Sequence, residues 1–220
     1  IYEIAKENSV KLLINPIPNC VYPGHLNTYK EENLWDGYPG EYVCSYGIAK
    51  KTAITMLQQY RAQYNFVGIH LILTNLYGPR DKFDLEAGHV IPSLVRKFVT
   101  AKTNGEKYVE IWGTGVATRD FLHVTDCAEG IIRAMESYHG TEPCNLGSMK
   151  EVSIKDIAEK LKEITEFEGE VKWDRSRPDG PKRRVLSAER ACKYFGFQPT
   201  ISIDEGLSET VKYWKRICED

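Results

Sequence analysis

The 220 residues contain no apolar run approaching the roughly 20 that a membrane-spanning helix needs. No basic-then-apolar leader is present either, so nothing in the sequence indicates secretion. The six cysteines (20, 44, 127, 144, 192 and 218) never occur as CxxC or another close pair. That spacing argues against a disulfide framework and leads us to expect reduced thiols in a cytoplasmic protein, with no metal site. Charge is nearly balanced, at a net −2. The only local basic cluster, "PKRR" at 181–184, is too short for a nucleic-acid-binding stripe, although it would suit a phosphate on a small molecule. Internal repeats and low-complexity segments are also missing.

What remains is an ordinary globular composition, 42% hydrophobic and 27% charged, long enough to bury a substantial core in one large domain or two small ones. The chain opens on Ile1, and "IYEIAKEN" reads as the tail of an amphipathic helix already under way. We therefore expect a chain cut off at its amino end.

Short apolar strands alternate with amphipathic helices. "VKLLIN" (10–15) and "FVGIHLIL" (66–73) read as strands. Between them, residues 16–41 are rich in Pro, Gly, Asn and Tyr and predict a long loop, of a length that is often functional. A helix follows from about Glu41 to Tyr64, on the spacing of Ala49, Ala53, Met56, Leu57 and Tyr60. Further helices are predicted from about His89 to Thr103, over "TDCAEGIIRAMESY" with Thr125 or Asp126 as cap, and after Ser153, Ser187 and Ser202. "YVEIWG", "RDFLHV", "CNLG" and "EVKWD" read as short strands. Such alternation predicts an α/β protein with a parallel sheet covered on both faces. Ligands collect at the carboxyl ends of strands in these sheets, and both "PIPNC" (16–20) and "TNLYGP" (74–79) lie at such ends.

The pattern with most chemistry in it is "YGIAK", Tyr46 to Lys50. Four residues apart on a helix, the two side chains share a face one turn apart. An ammonium beside a phenol favours the phenolate, which suits proton transfer at an alcohol or sugar oxygen. Alone, Tyr-x-x-x-Lys recurs by chance in many helices. Here it stands in an ordered series: "CVYP" (20–23), "YGIAK", "TNLYGPRDKF" (74–83), "GHVIPSLVRKF" (88–98) and "WGTGVATRDFLHVTDCA" (112–128).

In that series the chain resembles the NAD(P)-dependent epimerase/dehydratase branch of the extended short-chain dehydrogenase/reductases. Within the branch, "CVYP" and "GHVIP" are most similar to the fucose-synthase-like epimerase-reductases, whereas "NLYGP" and "RDFLHV" variants occur throughout it. The resemblance covers essentially the whole chain. It implies the C-terminal part of a Rossmann-type parallel sheet in residues 1–76. Residues 77–220 would mainly form a smaller α+β substrate-binding domain, with a segment near 104–147 returning to the Rossmann domain.

It also implies roles. Tyr46 would be the general acid at the sugar C4 oxygen, and Lys50 would hold the nicotinamide ribose and tune the phenol. Cys20 and His89 would exchange protons at C3 and C5. A thiol and an imidazole both titrate near neutrality, so each can act as acid or base beside a ketone. Asn75, Leu76 and His89 would join Tyr46 and Lys50 around the cofactor, NADP(H), with NAD(H) the other candidate. Asn75, Lys97, Trp112, Arg119 and either Lys182 or Arg183 would contact the substrate, a nucleotide-diphosphate sugar linked to GDP. The relatives often carry Arg where this chain has Lys97; Lys keeps the charge but loses the bidentate fork. A homodimer, no nucleic acid and no membrane complete the expectation.

The chain departs from the resemblance in two places. The relatives end the strand before Cys20 in Ser-Ser-Cys or Ser-Asn-Cys, and the first serine hydrogen-bonds the ketone. Here Pro18 stands at that position, followed by Asn19. Proline has neither a hydroxyl nor an N–H, so proton exchange should survive better than hydride transfer. Second, no Gly-rich turn precedes a helix; "GTGVAT" (113–118) imitates one but leads into the predicted strand "RDFLHV". Two other readings stay open: a nucleotide-sugar C4-epimerase or simple C4 reductase of the same fold, and a catalytically silent nucleotide-sugar-binding module. Because the pyrophosphate turn is missing from these residues, the 220-residue chain should bind NADPH weakly or not at all. Fluorescence titration tests this, and tight binding would contradict it.

Overall fold

The computed structural model describes residues 1–85 and 88–219. In chain order the elements are α1 (Tyr2–Glu7), β1 (Leu13–Pro18), β2 (Thr28–Tyr29), α2 (Cys44–Tyr64), β3 (Gly68–Leu73), β4 (Asn75–Tyr77), α3 (Val90–Asn104), β5 (Tyr108–Trp112) and β6 (Thr118–His123). They continue with α4 (Val124–Ser137), β7 (Cys144–Leu146), β8 (Glu151–Ser153), α5 (Ile154–Ile164), β9 (Glu170–Asp174), β10 (Arg183–Leu186), α6 (Glu189–Phe195) and α7 (Ile203–Glu219). Single 3-10 turns occupy Asn19–Val21, Glu31–Asn33 and Glu41–Val43.

The chain forms two compact units. One holds residues 1–75, 127–149 and 185–199, and the other holds 76–126, 150–184 and 200–220. Of the stretch near 104–147 expected to return to the first domain, only the part from residue 127 belongs to that unit, and 185–199 joins it. The reason is burial: Leu186 packs with Ile17, Tyr22 and Ile72, and the Ser187 carbonyl accepts a hydrogen bond from Asn145.

In the first unit β1, β3 and β7 form a parallel sheet in the order β1-β3-β7. The strand expected at 10–15 lies three residues later and includes both prolines, Pro16 opposite Leu71 and Pro18 opposite Leu73. The Leu13 N–H donates to the Val67 carbonyl. With a two-residue period, the N–H groups of 13, 15 and 17 therefore face β3, and positions 14, 16 and 18 face away. Both prolines sit where no bond to β3 is lost, as strand prolines must. On α2 the buried positions are Gly47, Lys51, Ile54 and Leu57. The stripe is thus rotated from the expected one, and Ala49 and Met56 face outward.

In the second unit, Leu94, Val95 and Phe98 of α3 pack with Ile157 and Leu161 of α5, Leu207 and Val211 of α7, and Val109 and Ile111 of β5. β5 pairs in parallel with β9, and β6 takes β8 antiparallel and Arg183–Arg184 of β10 in parallel.

Two of the expected helix caps change. Ser153 with Asp156 and Ser202 with Glu205 form reciprocal caps, as their spacing predicts. Ser187 does not: α6 starts after Ala188 with no side-chain cap, and the Ser187 backbone bonds Tyr29 and Asn145 instead. Thr125 and Asp126 lie inside the first turn of α4. The Asp126 carboxylate accepts the Thr200 and Ile201 N–H groups, tying the "RDFLHVTD" motif to the turn before α7.

The long loop of the first unit is anchored by one amide. Asn145, fully buried on β7, accepts the Tyr22 hydroxyl hydrogen bond at 2.7 Å. Its side-chain nitrogen donates to the Tyr29 carbonyl (3.0 Å) and the Ser187 carbonyl (2.9 Å), and its N–H donates to Glu31 Oε1 (2.8 Å). Tyr22 stacks on Tyr29 with ring centroids 4.8 Å apart. Burial raises the Tyr22 phenol and the Glu31 carboxyl above their ordinary ranges, so the phenol stays protonated as a donor. Asn145→Leu keeps the volume but strands the Tyr22 hydroxyl and the Ser187 carbonyl, whereas the Tyr29 carbonyl keeps the Ser187 N–H. At about 1–3 kcal/mol for each buried unpaired group, it should cost at least about 2 kcal/mol, read from the urea midpoint. A loss below about 1 kcal/mol would contradict this role.

Candidate active site

The strand end does deliver Cys20 to a turn. β1 closes at Pro18, and the 3-10 turn Asn19–Val21 that follows leaves the Cys20 thiol half-buried and Val21 buried. The turn packs against α2. α2 begins after the Glu41–Val43 turn, which places Tyr46 and Lys50 in its first two turns. Tyr46 is 52% exposed, and the Lys50 Nζ lies 5.6 Å from the centre of its ring. Among the described residues neither the phenol nor the ammonium has a hydrogen-bond partner, so both remain available to a ligand.

The neighbouring Lys51 does something different. It is buried, donates from Nζ to the Gly37 carbonyl at 2.9 Å, and lies 5.3 Å from the Trp35 ring centre. Burial lowers its pKa from the ordinary lysine value. It fastens the loop before α2, a role our reading of the sequence missed. The signal was its place on the stripe 47, 51, 54 and 57.

The second unit holds the other residues. His89 is the residue preceding α3, in extended backbone, with its side chain 84% exposed and Nδ1 3.9 Å from Asp81 Oδ1. Lys97, on α3, donates to the Glu110 carbonyl at 2.8 Å and lies 5.9 Å from the Trp112 ring centre. Burial lowers its pKa from the usual lysine value. Lys97 also lines a groove of about 620 Å³ with Arg96, Thr100, Lys107 and Tyr108. Trp112 closes β5 on its exposed face, and the Arg177 guanidinium lies 5.0 Å from its ring centre. Arg177 was not singled out in the sequence.

Arg119 is half-buried on β6 and donates to the Thr118 carbonyl. The Thr118 N–H in turn donates to the Lys182 carbonyl, which holds Lys182 beside β6 with an exposed side chain. Arg183, offered with Lys182 as a phosphate ligand, is instead committed to the Glu151 carboxylate through Nε (3.0 Å) and NH2 (2.9 Å). Asn75 and Leu76 open β4, Asn75 in the first unit and Leu76 in the second.

The turn in "GTGVAT" is occupied from within the chain. The turn leads into β6, and its N–H groups already meet an anion. Asp179 Oδ1 accepts the Thr114 N–H at 2.6 Å, and Oδ2 accepts the Thr114 hydroxyl at 2.7 Å. Gly113 has φ +85°, and a Cβ there would overlap Asp179 Oδ1. These hydrogen bonds hold the Asp179 carboxyl below its ordinary range. The segment "RPDGP" thus fixes the turn after Trp112 from across the sequence.

The residues assigned to acid–base work divide between the units: Cys20, Tyr46 and Lys50 in the first, His89 in the second. Among the described residues no cluster of His, Cys, Asp or Glu could hold a metal ion, and no helix is long and apolar enough to cross a membrane.

Comparison with known proteins agrees with this arrangement of elements. The family described as NAD dependent epimerase/dehydratase matches residues 1–147. The probable GDP-L-fucose synthase 1 of Oryza sativa subsp. japonica is 40% identical over 210 residues, covering 95% of this chain and 64% of the rice protein. The chain therefore spans less than two thirds of that relative. The GDP-L-fucose synthetase of Naegleria fowleri, solved bound to NADP, superposes with a TM-score of 0.92 at 29% identity, over 99% of this chain and 70% of that one. A GDP-6-OMe-4-keto-L-xylo-heptose reductase from C. jejuni gives 0.90 at 29% identity, over 98% and 73%. Family match, identity and shared fold lead to one conclusion: the chain belongs to the NAD-dependent epimerase/dehydratase family.

Proposed function

We propose that the protein carrying this chain is an NADP(H)-dependent nucleotide-sugar epimerase-reductase. It would epimerise C3 and C5 of a GDP-4-keto-6-deoxy sugar and reduce C4. The observation that carries this reading is the first-unit arrangement: an available phenol and ammonium one turn apart on α2, with the turn bearing Cys20 packed against the same helix. The GDP-L-fucose synthase names of the rice and Naegleria relatives support the substrate class, and the NADP bound to the Naegleria protein supports the cofactor.

The residues present fit only one end of that cofactor. Tyr46 and Lys50 suit the nicotinamide ribose, with Asn75 and Leu76 nearby in sequence to the second strand end, but the glycine turn at 113–115 is filled by Asp179. When bound, NADPH supplies the hydride that reduces C4. The chain's own residues handle protons. The Cys20 thiolate and the His89 imidazole remove and return protons at the carbons flanking the ketone, which are acidic because the carbonyl takes up the charge. Tyr46 then donates its phenolic proton to the C4 oxygen, and Lys50 orients the ribose. Lys97, Trp112, Arg119 and Lys182 would hold the GDP moiety through charge and ring stacking.

Pro18 bears on the balance between the two reactions. A strand end without a hydroxyl offers the ketone oxygen one donor fewer, but the same strand end still delivers Cys20, so proton exchange keeps its base and should survive better than reduction. We also read the protein as a cytoplasmic homodimer; Ile48 and Met56, exposed on α2, support a self-associating face.

In D2O, the intact protein should wash deuterium into C3 and C5 of the GDP-linked keto sugar. Cys20→Ser should abolish wash-in and spare C4 reduction, and Pro18→Ser should raise reduction by roughly 100-fold, the weight of one oxyanion donor. Reduction without any wash-in would favour a simple C4 reductase, and wash-in unchanged in Cys20→Ser would remove the cysteine from the mechanism.

A further inference from the structure

Gly47 lies within α2, directly after Tyr46, and is buried. Glycine is among the poorest helix formers, and nothing in the backbone here calls for its conformational freedom. Its neighbours account for it. A Cβ at position 47 would lie 2.6 Å and 2.7 Å from Cγ and Cβ of the Pro39 ring, and 3.0 Å from the Cys20 carbonyl oxygen. The first two separations are closer than packed atoms tolerate.

Pro39 has little room to yield. It bridges Pro23, the Gly24 N–H donates to the Tyr38 carbonyl at 3.0 Å, and a Cβ at Gly24 would lie 2.7 Å from the Gly40 Cα. Lys51 holds the Gly37 carbonyl from the other side of the loop. The helix is held in turn by Ile54 and Leu57, both buried. A side chain at 47 is therefore accommodated by moving α2 away from the two groups it would crowd, the Pro39 ring and the Cys20 carbonyl of the turn.

We propose that Gly47 is a positioning residue: its missing side chain sets the distance between the thiol of Cys20 and the phenol of Tyr46. The inference rests on the proposed roles of those two groups. It adds that the placement of the proton-exchanging thiol relative to the helix bearing Tyr46 depends on a single glycine contact. Widening the contact takes the thiol from the sugar carbon while the helix keeps Tyr46 and Lys50 together, so exchange suffers before reduction does.

The test is Gly47→Ala in the intact protein. Deuterium wash-in at C3 and C5 should fall about tenfold or more, C4 reduction should fall less than about threefold, and GDP affinity by calorimetry should stay within about twofold. Amide hydrogen exchange gives a readout that needs no turnover: peptides covering 19–24 should exchange at least about tenfold faster, while those covering 144–146 should not change. Wash-in and 19–24 exchange both at wild-type rates would overturn the proposal, and so would an equal loss of exchange and reduction. If the wild-type protein shows no wash-in, the functional reading fails. The positioning role then stands or falls on the amide exchange of 19–24 alone.

Discussion

The Asn145 amide is buried beneath the loop that follows β1, and burial obliges every polar atom it carries to find a protein partner. It finds them in Tyr22, Tyr29, Ser187 and, through its backbone N–H, Glu31. Because Tyr22, Tyr29 and Glu31 follow Cys20 along the loop and Ser187 lies on a separate segment, satisfying one residue ties the loop at 22, 29 and 31. Long loops are costly to order, and this one is ordered by a buried polar network rather than by regular secondary structure. The half-exposed thiol of Cys20 inherits its position from groups that do no chemistry themselves.

Around α2 the same economy recurs. Two successive lysines have opposite tasks: Lys50 is left available beside Tyr46, and Lys51 is spent on the Gly37 carbonyl. In the second unit Asp179 does for the turn after Trp112 what Lys51 does for the loop before α2. It fills the glycine turn with a carboxylate, so that a sequence resembling a phosphate loop is a structural clasp. Charged side chains near the candidate residues are thus sorted into those committed to backbone and those left open. Arg183 belongs to the first group through Glu151, whereas the Lys182 side chain is exposed.

What the sequence made legible was local. The Tyr46–Lys50 pair, the reciprocal caps at Ser153 and Ser202, and the alternation that defines an α/β sheet all depend on spacings of two to four residues. The features it hid depend on partners far along the chain. Ser187 has the composition of a cap, but its carbonyl is taken by Asn145, and Asp126 has the look of a cap while serving residues 200 and 201. The prolines at 16 and 18 suggested a loop because composition cannot say which side of a strand an N–H faces. Once the register with β3 is known, they belong to the strand. Segment 185–199 could not be assigned to the first unit from sequence, since its ties to that unit are long-range: pairing of Val185–Leu186 with β2, the buried Asn145 amide and the packing of Leu186.

The proposed function requires that Cys20, held at the end of β1, face the sugar of a bound GDP-linked substrate. Alkylation of individual cysteines by iodoacetamide, followed by mass spectrometry with and without a GDP-4-keto-6-deoxy sugar, tests it most directly. With ligand at about ten times its Kd, labelling of Cys20 should slow by about tenfold, while Cys192 and Cys218 label at unchanged rates. Labelling of Cys20 that slows no more than that of Cys192 and Cys218 would contradict the claim.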